Sequence, residues 1–169
     1  MTGDLNTMGN ILFEAGRFDE AKAKYEESLS VMQGSDLLEE VKENNRRFNL
    51  YNMGRIALMT GNMDEAKKLA DEFSTRASNA NNTFHIWQSH FLKGLIALEE
   101  NDYTKAINEF ENSNQQNPQT HYYMATAYSK EGNVEDAKKY AEKCANFNAL
   151  TSLNQAYVRN KAKDMLASL

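Results

Sequence analysis

The chain has 169 residues, a formal net charge of −5 and 41% hydrophobic residues, which is ordinary for a globular protein with one continuous core. The negative charge argues against a nucleic-acid surface, and a single cysteine cannot form an internal disulfide. No stretch approaches the ~18 apolar residues of a membrane span, and no N-terminal run resembles a signal peptide, so we expect a cytoplasmic protein. The single proline, Pro118, permits helices along the whole chain.

Four short blocks repeat along the chain, each with Gly or Asn first, an apolar residue third and Ala sixth. They begin at Gly16, Gly61, Asn101 and Gly132. A small residue lies seven positions before each block, at Gly9, Gly54, Gly94 and Ala125. Gly and Asn tolerate the left-handed conformation that ends a helix, and small residues allow two helices to cross closely. Each copy therefore predicts a helix, a tight turn and an antiparallel helix.

The four copies predict helix pairs over about residues 2–35, 36–80, 82–117 and 118–149. Ser35 and Asp36 are interpreted as a turn and an N-cap, and Glu39 would complete a capping box. The second pair is therefore predicted to begin near residue 36. Residues 149–152 break the pattern. A last helix, from about 151 to 168, carries an apolar stripe through Leu153, Tyr157, Ala162, Met165 and Leu166, which is typical of a capping helix. We predict a single domain over residues 1–169.

These pairs resemble the tetratricopeptide repeat, whose pattern has a large residue, Leu-Gly, an aromatic, Ala-x3-Phe and a late Pro. The first copy matches through Leu5, Met8, Gly9, Leu12, Ala21 and Tyr25, and the third through Gly94, Ala97, Ala106, Phe110 and Pro118. Ala70 and Ala141 replace the aromatic in the other two copies. The resemblance covers roughly residues 2–150. It implies an all-α fold, a right-handed superhelical solenoid of four helix-turn-helix repeats plus a C-terminal capping helix.

The resemblance also implies a concave groove, lined by the first helix of each pair, that binds a peptide or a partner protein. The candidate partner-binding residues are rich in aromatic and amide side chains: Asn6, Asn10, Phe48, Tyr51, Asn52, Arg55, Gln88, Phe91, Leu92, Leu95, Tyr122, Tyr123 and Thr126. Asn10 and Asn52 match two positions of the family's carboxylate clamp for chaperone tails. Asn6, Gln88 and Leu92 stand where that clamp needs cations, so we reject a chaperone tail as the ligand.

The same aromatic residues have a second interpretation, in which they are buried between repeats or covered by the capping helix. For any one of them the sequence favours neither interpretation, whereas for the group we expect a partly exposed groove.

The sequence offers no constellation of catalytic or metal-binding residues. His85, His90 and His121 lack the spacing of metal ligands, and Cys144 falls at a small-residue packing position that predicts a buried structural thiol. Every glycine is accounted for by a turn or a helix crossing, so there is no phosphate loop. Trp87 is interpreted as a core residue. We therefore predict no enzyme, no metal and no cofactor.

The leading hypothesis is a non-catalytic scaffold or adaptor that binds a partner protein or peptide in its groove, with no nucleic-acid or membrane partner. One alternative is a structural or assembly subunit, either a homodimer or part of a larger envelope or secretion complex. Another is the interaction part of a longer multidomain protein.

Overall fold

The computed structural model describes residues 2–148 and 153–169, without the side chain of Thr2. The described residues form nine α-helices and no strand: α1 (Thr2–Glu14), α2 (Phe18–Gln33), α3 (Glu39–Met59), α4 (Met63–Asn79), α5 (Thr83–Glu99), α6 (Tyr103–Glu111), α7 (Pro118–Glu131), α8 (Val134–Ala145) and α9 (Leu153–Ser168). The all-α class is confirmed. The predicted break at 149–152, and with it the predicted start of the capping helix, lies outside the described residues.

Contacts divide the chain into two compact units, Met1–Leu92 and Lys93–Leu169, and α5 contributes residues to both. The single domain over 1–169 and the repeat boundaries stay predictions. None of the described helices combines the length and the apolar character that crossing a membrane requires. The cytoplasmic location likewise stays a prediction.

The turns within the pairs lie where the repeated blocks predicted them. The first residue of each block has a positive φ: 74° at Gly16, 78° at Gly61, 62° at Asn101 and 90° at Gly132. The second residue often caps the following helix. The side chain of Asn62 accepts a hydrogen bond from the backbone N–H of Glu65, and Asp102 and Asn133 do the same for α6 and α8. A fifth position, Asn81, also has a positive φ, of 48°, which the block pattern missed.

The small residues lie at close helix crossings. A Cβ added at Gly94 would be 2.5 Å from Cε1 of Phe110, because the ring lies directly on the α5 backbone. Gly9 meets the ring of Tyr25 in the same way. At Gly54 the nearest atom is Cδ2 of Leu92, at 2.8 Å, so there α3 approaches α5 instead.

The predicted capping box at the start of α3 is wrong. This helix begins at Glu39, its N-cap is Leu38, and no side chain of a described residue caps it. The hydroxyl of Ser35 instead donates to the carbonyl of Met32, at 2.7 Å, so it serves the C-terminus of α2. The residues between Gln33 and Glu39, together with the long α3, account for the largest spacing between repeats.

Helix α9 packs on α7 and α8 around a buried cluster of Cys144, Ala145, Val158 and Ala162. The predicted stripe is correct in part: Ala162 is buried, whereas Leu153 is exposed. Gln155 is also buried, and its Nε2 donates to the carbonyl of Cys144, at 3.0 Å.

The prediction that Trp87 belongs to the core is wrong, because 39% of it is exposed. The face of α5 that meets α3 carries His85 and Leu92. Trp87 lies two residues after His85, about 200° around the helix, and so points away from that contact.

Candidate functional site

The candidate residues divide between the two units, and each set is described within its own unit. In Met1–Leu92 they lie on α1 (Asn6, Asn10), α3 (Phe48, Tyr51, Asn52, Arg55) and α5 (Gln88, Phe91, Leu92). In Lys93–Leu169 they lie on α5 (Leu95) and α7 (Tyr122, Tyr123, Thr126). The buried ones are Tyr51, Asn52, Arg55, Phe91 and Leu92, and the others are half-buried.

Asn10 and Arg55 connect α1 to α3. The guanidinium of Arg55 lies 3.9 Å from the ring centroid of Phe13 and donates to Oδ1 of Asn10, at 3.3 Å. It also pairs with Glu14, at 3.5 Å. The hydroxyl of Tyr25 donates to the same Asn10 oxygen, at 2.8 Å. These hydrogen bonds hold the first two helix pairs together, so both candidates have a structural role inside the unit.

Tyr51 and Phe48 belong to an aromatic cluster that joins α3, α4 and α5. The ring of Tyr51 stacks on Phe48 with centroids 6.1 Å apart and contacts Phe73 at 5.6 Å. His85 closes the cluster, 5.5 Å from Phe73 and 6.5 Å from Phe48. Burial raises the pKa of Tyr51. For Tyr51, 7% exposed, burial between repeats is the arrangement observed.

Three amide side chains on α3 and α5 contain buried polar atoms without a hydrogen-bond partner among the described residues. Asn52 is 1% exposed, and neither its Oδ1 nor its Nδ2 has a partner in the part of the chain that the structure describes. The same holds for Oδ1 of Asn49 and Oε1 of Gln88. We call Asn49, Asn52 and Gln88 the amide row. Asn49 was missed by the sequence analysis, although it lies three residues from Asn52 on the same helical face.

The register between α3 and α5 places the amide row at one level. Two hydrogen-bonded pairs, Arg47 with His85 and Asn44 with Asn82, are each 38 residues apart. Gly54 and Leu92, which meet at the crossing, have the same offset. Gln88 is therefore level with residue 50 of α3, between the other two members of the row.

A cleft of about 270 Å³ opens beside the first turns of α3 and α5. We call it the asparagine cleft. It is lined by Asn6, Met32, Val41, Asn44, Asn45, Phe48, Asn82, Phe84 and His85. Two of the candidates, Asn6 and Phe48, line it. Phe84 is 52% exposed at its rim, and Nδ2 of Asn82 donates to Oδ1 of Asn44, at 3.3 Å.

Arg47 does not line this cleft, but it bonds to two residues that do, His85 and Asn44, and it is only 7% exposed. Its Nε donates to Nδ1 of His85, at 3.3 Å, and its Nη2 to Oδ1 of Asn44, at 3.2 Å. Burial and the charge of Arg47 lower the pKa of His85 to about 4, so the ring is neutral near pH 7. Sequence reasoning missed Arg47. The sequence does mark its position, because Arg47 lies seven residues before Gly54, just as Trp87 lies seven residues before Gly94.

In the second unit the candidates pack around tyrosine rings. Tyr122 and Tyr123 meet edge to face, with centroids 5.2 Å apart, and Tyr123 stacks on Phe110 at 6.0 Å. The hydroxyl of Thr126 donates to the carbonyl of Tyr122, at 3.0 Å. Tyr122 also packs against the cluster beneath α9. The capping helix thus covers part of Tyr122, and burial raises the pKa of its hydroxyl.

No group of three or more His, Cys, Asp or Glu residues within 2–148 and 153–169 is placed to hold a metal ion. Cys144 is a buried thiol, as predicted, and burial raises its pKa to about 11. His121 stacks on Tyr140 and contacts Phe147, and burial lowers its pKa.

The model of the tetratricopeptide repeat family matches residues 88–120 and 118–149. No curated protein matches the chain significantly. The two matched segments carry the third and fourth copies of the repeated block, and the first two copies form helix pairs with the same positive-φ turns. The resemblance to the tetratricopeptide repeat is therefore confirmed over residues 88–149, and the chain is an all-α helical-repeat protein.

Proposed function

We propose that the chain is a non-catalytic scaffold that binds an extended segment of a partner protein along α3 and α5 of Met1–Leu92. Tetratricopeptide repeats typically bind other proteins, and the family is generally non-catalytic. In this proposal the amide row supplies hydrogen bonds to the partner's backbone.

The observation that carries the proposal is the buried amide of Asn52, neither polar atom of which has a partner among residues 2–148 and 153–169. Leaving a buried polar group unbonded costs about 1–3 kcal/mol. An asparagine amide both donates and accepts, so it matches the N–H and C=O groups of a peptide backbone. Because Asn52 is covered by its neighbours, the proposal requires these side chains to move apart when the partner binds, and hydrogen bonds to the partner would then offset this cost.

The remaining candidates divide by exposure. Asn6, Phe48 and Gln88 are half-buried and are proposed as direct contacts, whereas Asn10 and Arg55 hold the surface in place through their bonds to each other. In the second unit the half-buried residues are proposed as additional contacts: Leu95, Tyr122, Tyr123 and Thr126.

The test is affinity capture from the native lysate, followed by calorimetry with the purified partner. The variant carries Asn52→Leu and Gln88→Leu, and the matched control is Asn108→Leu, an exposed asparagine on α6. We expect the double variant to lose the partner and the control to retain it. Equal affinity of both for the purified partner would refute the proposed site. Substitution of Tyr51 or Phe91 is less informative, because these residues are 7% and 5% exposed and their loss would also lower stability.

Self-association is the second candidate function, and one observation favours it. Met8 and Ile11 lie three residues apart on α1, and both are exposed apolar side chains. Sedimentation velocity over a range of concentrations tests it. A dimer that is lost in Ile11→Glu would support this function, and a monomer at every concentration would refute it.

A further inference from the structure

We propose that the asparagine cleft receives the side-chain carboxylate of a glutamate in the partner segment, with Arg47 supplying the opposite charge. This inference rests on the proposed function, since the glutamate belongs to the bound protein. It adds a requirement for a negative charge, which the amide row alone would not impose.

The first argument is the electrostatic state of Arg47. Arg46, Arg55 and Arg76 each pair with at least one glutamate. Arg47 is more than nine-tenths buried, and its only partners among the described residues are the neutral side chains of His85 and Asn44. A buried guanidinium without an opposite charge is unfavourable, and buried charges in proteins are normally paired. Within the described part of the chain, the positive charge of Arg47 is therefore not balanced by an acidic side chain.

The second argument is the set of donors that faces the cleft. Nδ1 of His85 accepts a hydrogen bond from Arg47, so the proton of the neutral ring lies on Nε2. Oδ1 of Asn44 accepts from both Arg47 and Asn82, which leaves its amino group as a donor. Neither Nε2 of His85 nor Nδ2 of Asn44 makes a hydrogen bond within the described part of the chain. Two donors and a cation are the complement of a carboxylate.

The third argument is the shape of the cleft, which selects a glutamate side chain over a C-terminal carboxylate. Arg47 does not itself line the cleft but bonds to His85 and Asn44, which do, so a group that approaches its charge must extend into the cleft as far as these two side chains. A glutamate can do so on its two methylene groups while the peptide backbone stays outside. Phe48 and Phe84 provide apolar walls for those methylene groups, and none of the described residues that line the cleft is acidic.

The experiment uses the full chain and three blocked amino acids as probes, followed by NMR. The probes are N-acetylglutamate N-methylamide, its glutamine counterpart as the neutral control, and N-acetylleucine as a terminal carboxylate. We expect the glutamate probe to shift the Nε–H resonance of Arg47 and the ring resonances of His85. The glutamine probe should bind at least about tenfold more weakly, because it cannot form the charge-assisted hydrogen bonds. Equal binding of these two probes, or tighter binding of N-acetylleucine, would overturn the inference.

Variants give an independent check. Arg47→Gln keeps a hydrogen-bond donor and removes the charge, so it should lose the preference for glutamate over glutamine. Arg76→Gln is the matched control, because Arg76 is exposed and already pairs with Glu43 and Glu72. If Arg47→Gln does not fold, the comparison of probes on the wild-type chain still decides the matter. A partner that binds Arg47→Gln as tightly as wild type, but not Asn52→Leu, would overturn this inference and leave the proposed function intact.

Discussion

Gly94→Ala would place a methyl group where the ring of Phe110 already lies. The new Cβ would be 2.5 Å from Cε1 and 2.7 Å from Cδ1 of that ring, well inside the carbon–carbon contact distance of about 3.5–4.0 Å. Phe110 is completely buried and stacks on Tyr123, so the ring cannot withdraw into solvent. Overpacking costs up to about 3 kcal/mol, and alanine recovers about 1 kcal/mol of helix propensity. We expect a net loss of about 2 kcal/mol in the free energy of unfolding.

Urea unfolding followed by circular dichroism measures this loss. Gly54→Ala is the control, because its new Cβ would meet the terminal methyl of Leu92, at 2.8 Å, and a methyl at the end of a side chain shifts more easily than a ring. Adding Phe110→Leu to Gly94→Ala should recover part of the loss, which a double-mutant cycle detects as a coupling energy. Wild-type stability for Gly94→Ala, or strictly additive effects, would refute the packing argument.

Two further predictions follow from the shifted pKa values. The pKa of His85 is about 4 in the folded chain and 6.5 in the unfolded chain. Between these pH values the unfolded state binds more protons than the folded state. The free energy of unfolding should therefore fall by on the order of 3 kcal/mol as pH drops from 6.5 to 4. His121 contributes in the same direction. In His85→Gln the free energy of unfolding, measured at several pH values, should therefore change less steeply with pH but still measurably. A pH dependence equal to that of the wild type would contradict the assignment. The thiol of Cys144 should react with a disulfide reagent only after denaturation, because it is buried and its pKa is raised to about 11; rapid reaction in the folded chain would contradict this.

The turns and crossings were predictable because the signals that specify them are local. A positive φ at Gly16 or Asn101 depends on one residue and its immediate neighbours. The crossing at Gly94 follows from a spacing of sixteen residues to Phe110 within one helix pair. Ala125 takes the same place in the fourth copy, where Ala141 replaces the aromatic and leaves room for a Cβ.

The site was less predictable, because its geometry depends on contacts between distant residues. One of the two hydrogen bonds to Oδ1 of Asn10 comes from Arg55, 45 residues away, and no local pattern pairs them. The family resemblance placed Tyr51 and Phe91 among the groove residues, but it could not show that neighbouring side chains cover them. The unpaired charge of Arg47 is visible only once its neighbours are known to be neutral.

Asn52→Leu tests the central claim most directly, because the account predicts opposite effects on stability and on binding. Leucine branches at the same atom and has no polar atoms, so replacing the unpartnered amide should raise the free energy of unfolding, by about 1–3 kcal/mol less what its larger methyl groups cost in packing. The same variant should lose affinity for the partner, whereas Asn108→Leu should retain it. A variant that unfolds more easily than wild type, or that binds the partner with undiminished affinity, would contradict the account.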